Sequence, residues 1–214
     1  MRKSLSVNKI ESFISNTELL ALISVSAVLR KEKLLRNFLI IARERKLKPG
    51  KIYEALLQTY LFAGFPSALI SLSIFSEYFK RNKKNITLNN FEKIKADGEK
   101  TCRKIYGYKY EKLISNTSGF SPELSEWLVI EGYGKVLSRK GLSLKEREIL
   151  NVAVLSALKF ENQLYSHFNG AYINGANIKE LSGIIKNLEI FSSTISSFGF
   201  KVMDKFIKQK RITN

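Results

Sequence analysis

Ser143-Leu144-Lys145-Glu146-Arg147-Glu148-Ile149-Leu150-Asn151-Val152-Ala153-Val154-Leu155-Ser156-Ala157-Leu158-Lys159 decides the fold class. Ser143 and Glu146 form a capping box: the serine accepts from an orphan amide and the acid reaches back. Behind it, Ile149, Leu150, Val152, Val154, Leu155 and Leu158 surround the helix almost completely. A helix that is apolar on all sides is a buried one. Similar starts stand at Asn177 with Glu180, at Asn89 with Glu92, and at Ser121-Pro122-Glu123, where proline takes the first helical position. Stops are read at Pro49-Gly50, Gly107, Gly141 and Gly175. Strand-like alternation bounded by turns is absent, so an all-α protein is expected. Helices are expected at about 17–30, 32–47, 50–63, 66–81, 90–105, 122–137, 144–159, 162–174, 178–187 and 190–208, with a lysine-rich loop at about 82–89.

The 214 residues suffice for one domain or for two small packed copies of a motif. Two stretches support the second arrangement. Glu18-Leu19-Leu20 opens a run laid out like the one opened by Glu148-Ile149-Leu150, and each turns charged before a second helix. Ile52-Tyr53-Glu54 then matches Ile178-Lys179-Glu180. Asn37 stands in this register where the second run has His167. Residues 1–82 are expected to form the first copy, structural in role. Residues 83–118 follow as a linker with a helix, and 119–214 as the copy able to carry an active site.

One stretch raises the question of a membrane. Ala55 to Phe75 carries no charge over 21 residues, about the length that crosses a bilayer. Gly64-Phe65-Pro66 interrupts it, so two short buried helices meeting at that corner are expected, with no membrane span. No secretory signal is read at Met1–Phe13, and a cytoplasmic protein is expected. The net charge of +17 is spread along the chain beside glutamates, as in Arg30-Lys31-Glu32-Lys33. The Lys80–Lys84 and Lys208–Arg211 clusters interleave no aromatics, which speaks against a nucleic-acid partner. Cys102 is the only cysteine and His167 the only histidine. A dithiol pair and a histidine-rich metal site are therefore excluded.

The chemistry centres on that histidine. Glu148, on the buried helix, needs a partner because a desolvated carboxylate is costly. His167 follows nineteen residues later. On one straight helix the two would stand about 28 Å apart, so they meet only if the chain turns between Lys159 and Asn162. If they meet, general acid–base chemistry follows, with the carboxylate fixing the imidazole tautomer. Gln163, one turn before His167, could hold a substrate oxygen.

Ser121-Pro122-Glu123-Leu124-Ser125-Glu126-Trp127, Glu131-Gly132-Tyr133-Gly134-Lys135-Val136-Leu137-Ser138-Arg139 and Gln163-Leu164-Tyr165-Ser166-His167-Phe168-Asn169-Gly170-Ala171 together resemble the carboxymuconolactone decarboxylase family. That family includes the alkylhydroperoxidase D-like proteins. The match is strongest over about residues 121–185, and Phe62-Ala63-Gly64-Phe65-Pro66 resembles the family's Gly-x-Pro corner. The resemblance implies an alkylhydroperoxidase D-like helical fold of two tandem repeats, assembled as a homo-oligomer, a trimer or hexamer. It also implies a cofactor-free lyase or decarboxylase acting by proton transfer on a small lactone or carbonyl acid. His167 would move the proton, Glu148 would orient it, Gln163 and Arg147 would contact the anion, and Glu161 matches a family acid. The peroxidase branch carries a Cys-x-x-Cys pair before its histidine. Phe160 and Gln163 stand there instead, which disfavours that chemistry. Two further readings remain: a non-catalytic helical oligomer of the same fold, and a basic nucleic-acid-binding module.

Overall fold

A computed structural model describes residues 14–80 and 90–210. The described residues are helical throughout, without a strand. The elements run α1 (Asn16–Val28), α2 (Glu32–Glu44), α3 (Pro49–Gln58), α4 (Tyr60–Tyr78), α5 (Phe91–Tyr106), α6 (Tyr110–Phe120) and α7 (Pro122–Trp127). A π-helix (Leu128–Leu137) follows, then α8 (Leu144–Leu158), α9 (Glu161–Ile173), α10 (Ile178–Asn187) and α11 (Ser193–Lys210).

Two helices form the centre. Every residue of α1 from Leu19 to Val28 is buried, as is every residue of α8 from Arg147 to Ala157. They lie against each other, and the flanking helices close over them. The capping box at Ser143 and Glu146 is present, and an equivalent one at Ser15 and Glu18 starts α1. Asn177 with Glu180 starts α10 as expected, and Ser121 caps α7. Asn90 caps α5, accepting from the Glu92 amide; Asn89 lies outside the described residues, as does the expected loop at 82–89.

From the end of the first helix onward the two runs share boundaries at a spacing of 129 residues, while the N-caps Ser15 and Ser143 stand 128 apart. Glu32–Glu44 answers to Glu161–Ile173, and Pro49–Gln58 to Ile178–Asn187. The helix ends agree too. Arg30, Lys46, Lys159 and Gly175 all take positive φ, at 53°, 54°, 60° and 93°. In each case the next amide donates five residues back: Lys31 to Ser26, Leu47 to Ala42, Phe160 to Leu155 and Ala176 to Ala171. This is the Schellman closure, usually built on glycine. The register read from sequence is therefore one residue off. Phe38, not Asn37, answers to His167, and Leu19 answers to Glu148. Both are fully buried, so hydrocarbon fills the place of the polar pair.

Several expectations change. Pro49 begins α3 rather than ending α2, which stops three residues earlier at Lys46. Helix α6 was not anticipated, because only Tyr110 along it is buried and no apolar stripe marks it. The corner at Gly64 is real: its φ of 73° and ψ of 176° break α4, and Pro66 follows. The expected burial beyond that corner is only partial: Ala68, Ile74 and Phe75 are buried, but Phe65 is 70% and Leu69 65% exposed. Among the described residues α4 alone is long and apolar enough to cross a membrane, by length and composition only.

The segment between the two runs is a wall rather than a tether. Helix α5 packs along the π-helix at backbone distance: a methyl on Gly98 would meet the Val129 carbonyl at 2.3 Å, and one on Gly134 the Ile94 carbonyl at 2.4 Å. Cys102, Ile105, Tyr110, Tyr133, Val136 and Leu137 form a second small core there.

Candidate active site

The chain does double back where the site requires it. Lys159 turns left-handed, α9 starts at Glu161, and α9 returns along α8. His167 Nδ1 then lies 2.8 Å from Glu148 Oε2. Glu148 is fully buried and His167 is 8% exposed. Gly170, one turn beyond the histidine, makes room for the carboxylate: a methyl there would sit 2.2 Å from Glu148 Oε2. Gly170→Ala tests this. Helix propensity alone favours alanine by about 0.8–1 kcal/mol. Overpacking opposes it at about 1–3 kcal/mol, so a net loss of stability in thermal denaturation is expected. A gain in melting temperature would mean that the carboxylate is not packed on Gly170.

A directed chain of side chains stands behind the pair. Arg147 Nη1 donates to Gln58 Oε1 at 3.0 Å, and Gln58 Nε2 donates to Asn151 Oδ1 at 2.5 Å. Asn151 Nδ2 donates to Glu148 Oε1 at 3.2 Å. A guanidinium has only donors, so each amide along this line can face only one way. At its far end a carboxylate accepts from His167, which places the neutral ring's proton on Nδ1. Among the described residues no hydrogen bond reaches Nε2, although Asn151 Nδ2 also stands 3.3 Å from Nδ1. Arg147 is itself held by Glu54 Oε2 at 3.0 Å and by the Arg139 carbonyl at 2.9 Å. Burial pushes its pKa down, with Glu54 opposing.

His167 and Asn151 line a hollow of about 190 Å³ together with Leu61, Phe62, Trp127, Leu128, Glu131, Gly132, Tyr133 and Leu137. Half of this lining comes from the π-helix, a form frequent at functional sites. Phe62 meets the imidazole edge to face, with centroids 6.4 Å apart. Glu131 accepts from the Tyr60 hydroxyl at 3.1 Å and pairs with Lys135. Burial and the Glu131 charge push the Tyr60 phenol up to about 12. The Tyr133 hydroxyl donates to Tyr106 at 3.1 Å, and burial holds Tyr133 well above the usual phenol range. Cys102 is fully buried, and burial pushes its thiol up to about 12, which suits a packing role rather than a nucleophile.

The structure unites only part of the expected set. Glu148 and His167 meet. Arg147 does not reach the hollow: it is fully buried behind Gln58, its Nη2 is taken by Glu54 and a backbone carbonyl, and its Nε is buried without a partner among the described residues. The expectation that it contacts a substrate anion is therefore corrected. Gln163 is exposed on the first turn of α9 and is not among the lining residues. Glu161 pairs with Lys205 and Lys201 of α11, which lower its pKa, and it too is absent from the lining. Asn151 and Gln58 were missed. Asn151 had a readable signal, as an uncharged polar residue one turn beyond Glu148 on an apolar helix. Gln58 had none, because only the fold brings α3 against α8.

No family model matches the sequence. The chain is 26% identical over 109 residues to the 4-carboxymuconolactone decarboxylase of Acinetobacter baylyi, a stretch covering 50% of this chain and 81% of that protein. An all-α chain with a glutamate–histidine pair at a small hollow is thus, over half its length, similar to a 4-carboxymuconolactone decarboxylase.

Proposed function

We propose that this protein is a cofactor-free proton-transfer enzyme of the lyase, decarboxylase or isomerase kind, with His167 as its general base and acid. The observation that carries this reading is the 2.8 Å contact between His167 Nδ1 and Glu148 on a ring that lines the hollow. A carboxylate on Nδ1 fixes the tautomer that leaves the Nε2 lone pair free. It also balances the positive charge that the ring gains when Nε2 takes a proton. The room beside the ring favours a catalyst over a non-catalytic oligomer, whose histidine would be enclosed by packed side chains. The similarity to a 4-carboxymuconolactone decarboxylase supports the same class and points to a lactone or carbonyl compound as substrate.

The two helix runs read as tandem copies of one motif, the first having exchanged its polar pair for Leu19 and Phe38. It remains part of the site through Gln58 and Phe62. A trimer or hexamer would cover the apolar surface that Phe65, Leu69 and Ile70 expose on α4.

The test is proton exchange. The protein is incubated in deuterium oxide with small unsaturated lactones and ketones, and deuterium on the carbon beside the carbonyl is followed by NMR. Incorporation well above that caused by free imidazole at equal concentration is expected. Exchange no faster than free imidazole across the panel would overturn the assignment.

A further inference from the structure

We propose that the hollow selects an uncharged, mainly apolar carbonyl compound, such as a small lactone or cyclic enone, over a carboxylate. This rests on the proton-transfer reading of His167 and narrows it to the isomerase or lyase kind, since a decarboxylase must take a carboxylate. Among the residues lining the hollow there is no lysine or arginine, and the one acid is Glu131. The nearest buried cation, Arg147, is enclosed and held by Gln58, Glu54 and the Arg139 carbonyl. Lys135 is engaged by Glu131 itself. Leu61, Phe62, Trp127, Leu128 and Leu137 supply hydrocarbon and aromatic walls. A carboxylate entering here would lose its water and gain no uncommitted cation, both of which disfavour it.

Size narrows the class further. A volume of about 190 Å³ is below the roughly 300–1,000 Å³ of sites for drug-sized ligands.

The chemistry closes without a co-reactant. Nε2 takes a proton from the carbon beside the carbonyl. The C–H bond breaks, an N–H bond forms, and the electron pair moves onto the carbonyl oxygen as an enolate. The imidazolium is then the only cation among the lining residues, so it faces the anion it has just created. Returning the proton to the same carbon gives exchange, and returning it to a conjugated carbon shifts the double bond.

Trp127, the only tryptophan of the chain, lines the hollow and reports on its occupant. The full-length protein is titrated with α-angelica lactone and separately with levulinate, which has the same carbon skeleton opened to a carboxylate. A saturable change in Trp127 fluorescence is expected with the lactone, at a concentration at least tenfold lower than with levulinate. The same preference is expected in His167→Gln, where proton exchange is lost. Glu131→Lys is expected to narrow the gap by tightening levulinate. No saturable lactone signal, or levulinate binding within tenfold of the lactone, overturns the proposal. Deuterium exchange into both probes without this preference would leave the base assignment standing and remove the selectivity. Selective lactone binding without exchange would do the reverse.

Discussion

Glu54→Gln is expected to destabilise the protein by about 3–5 kcal/mol, the cost of leaving a buried charge without its partner. Arg147 is fully buried, and Glu54 is the carboxylate that contacts it, at 3.0 Å. Arg139 binds the same carboxylate from the other side, with Nη2 at 2.8 Å, but is itself partly exposed. The substitution leaves Arg139 able to turn to water and gives Arg147 no such exit. For a chain of this size the loss corresponds to a fall of about 6–20 °C in melting temperature, at roughly 2–4 °C per kcal/mol. Arg36→Gln breaks the exposed Arg36–Glu77 pair and serves as the control, since surface pairs contribute little. Glu54 lies on α3 and Arg147 on α8, so this contact also ties the first run of helices to the second. A Glu54→Gln protein that melts with the wild type would show that Arg147 finds other compensation. The fixed end of the side-chain chain behind Glu148 would then be lost.

The second large effect is on rate. His167→Gln is expected to lower deuterium incorporation by about 10²–10⁴-fold, the usual contribution of a positioned acid–base group. Glutamine retains a donor for Glu148 and similar bulk, so stability should change far less than in Glu54→Gln. Circular dichroism melting on the same preparation separates the two effects. Gln58→Leu is the companion variant. It removes the link between Arg147 and Asn151 without touching the hollow's lining, and should slow exchange while leaving lactone binding at Trp127 in place. Exchange that survives in His167→Gln would move the chemistry elsewhere in the hollow.

Much of the fold was readable because its strongest signals are local. Ser143 with Glu146 and Asn177 with Glu180 announce helix starts in four residues, and both boxes are present. The all-round apolar pattern of α8 predicted the burial found there. Three left-handed helix ends are built on Arg30, Lys46 and Lys159, where a stop signal calls for glycine or asparagine. The break between α8 and α9 was placed at about 159–162 although no glycine or proline marks it, and the register of the two runs slipped by one. Helix α6 escaped because an exposed helix leaves no periodic stripe. The site divided in the same way. Glu148 and His167 were legible as a buried acid and a lone imidazole. The rest of the hollow comes mainly from α4, α7 and the π-helix, brought in by packing that no short-range pattern records. Arg147 misled for the opposite reason: its charge suggested a ligand, while its place on a helix buried all round made it an internal strut.

The role of His167 as a base depends on which nitrogen of its imidazole carries the proton. Because His167 is the only histidine, its two ring nitrogens can be assigned in ¹⁵N-labelled protein without ambiguity by long-range ¹H–¹⁵N correlation in the neutral state. The predicted result is a protonated Nδ1 hydrogen-bonded to Glu148 and an unprotonated Nε2, with that Nδ1 proton signal lost in Gly170→Ala. A neutral ring carrying its proton on Nε2 would contradict it, since the nitrogen assigned to take the substrate's proton would already be occupied.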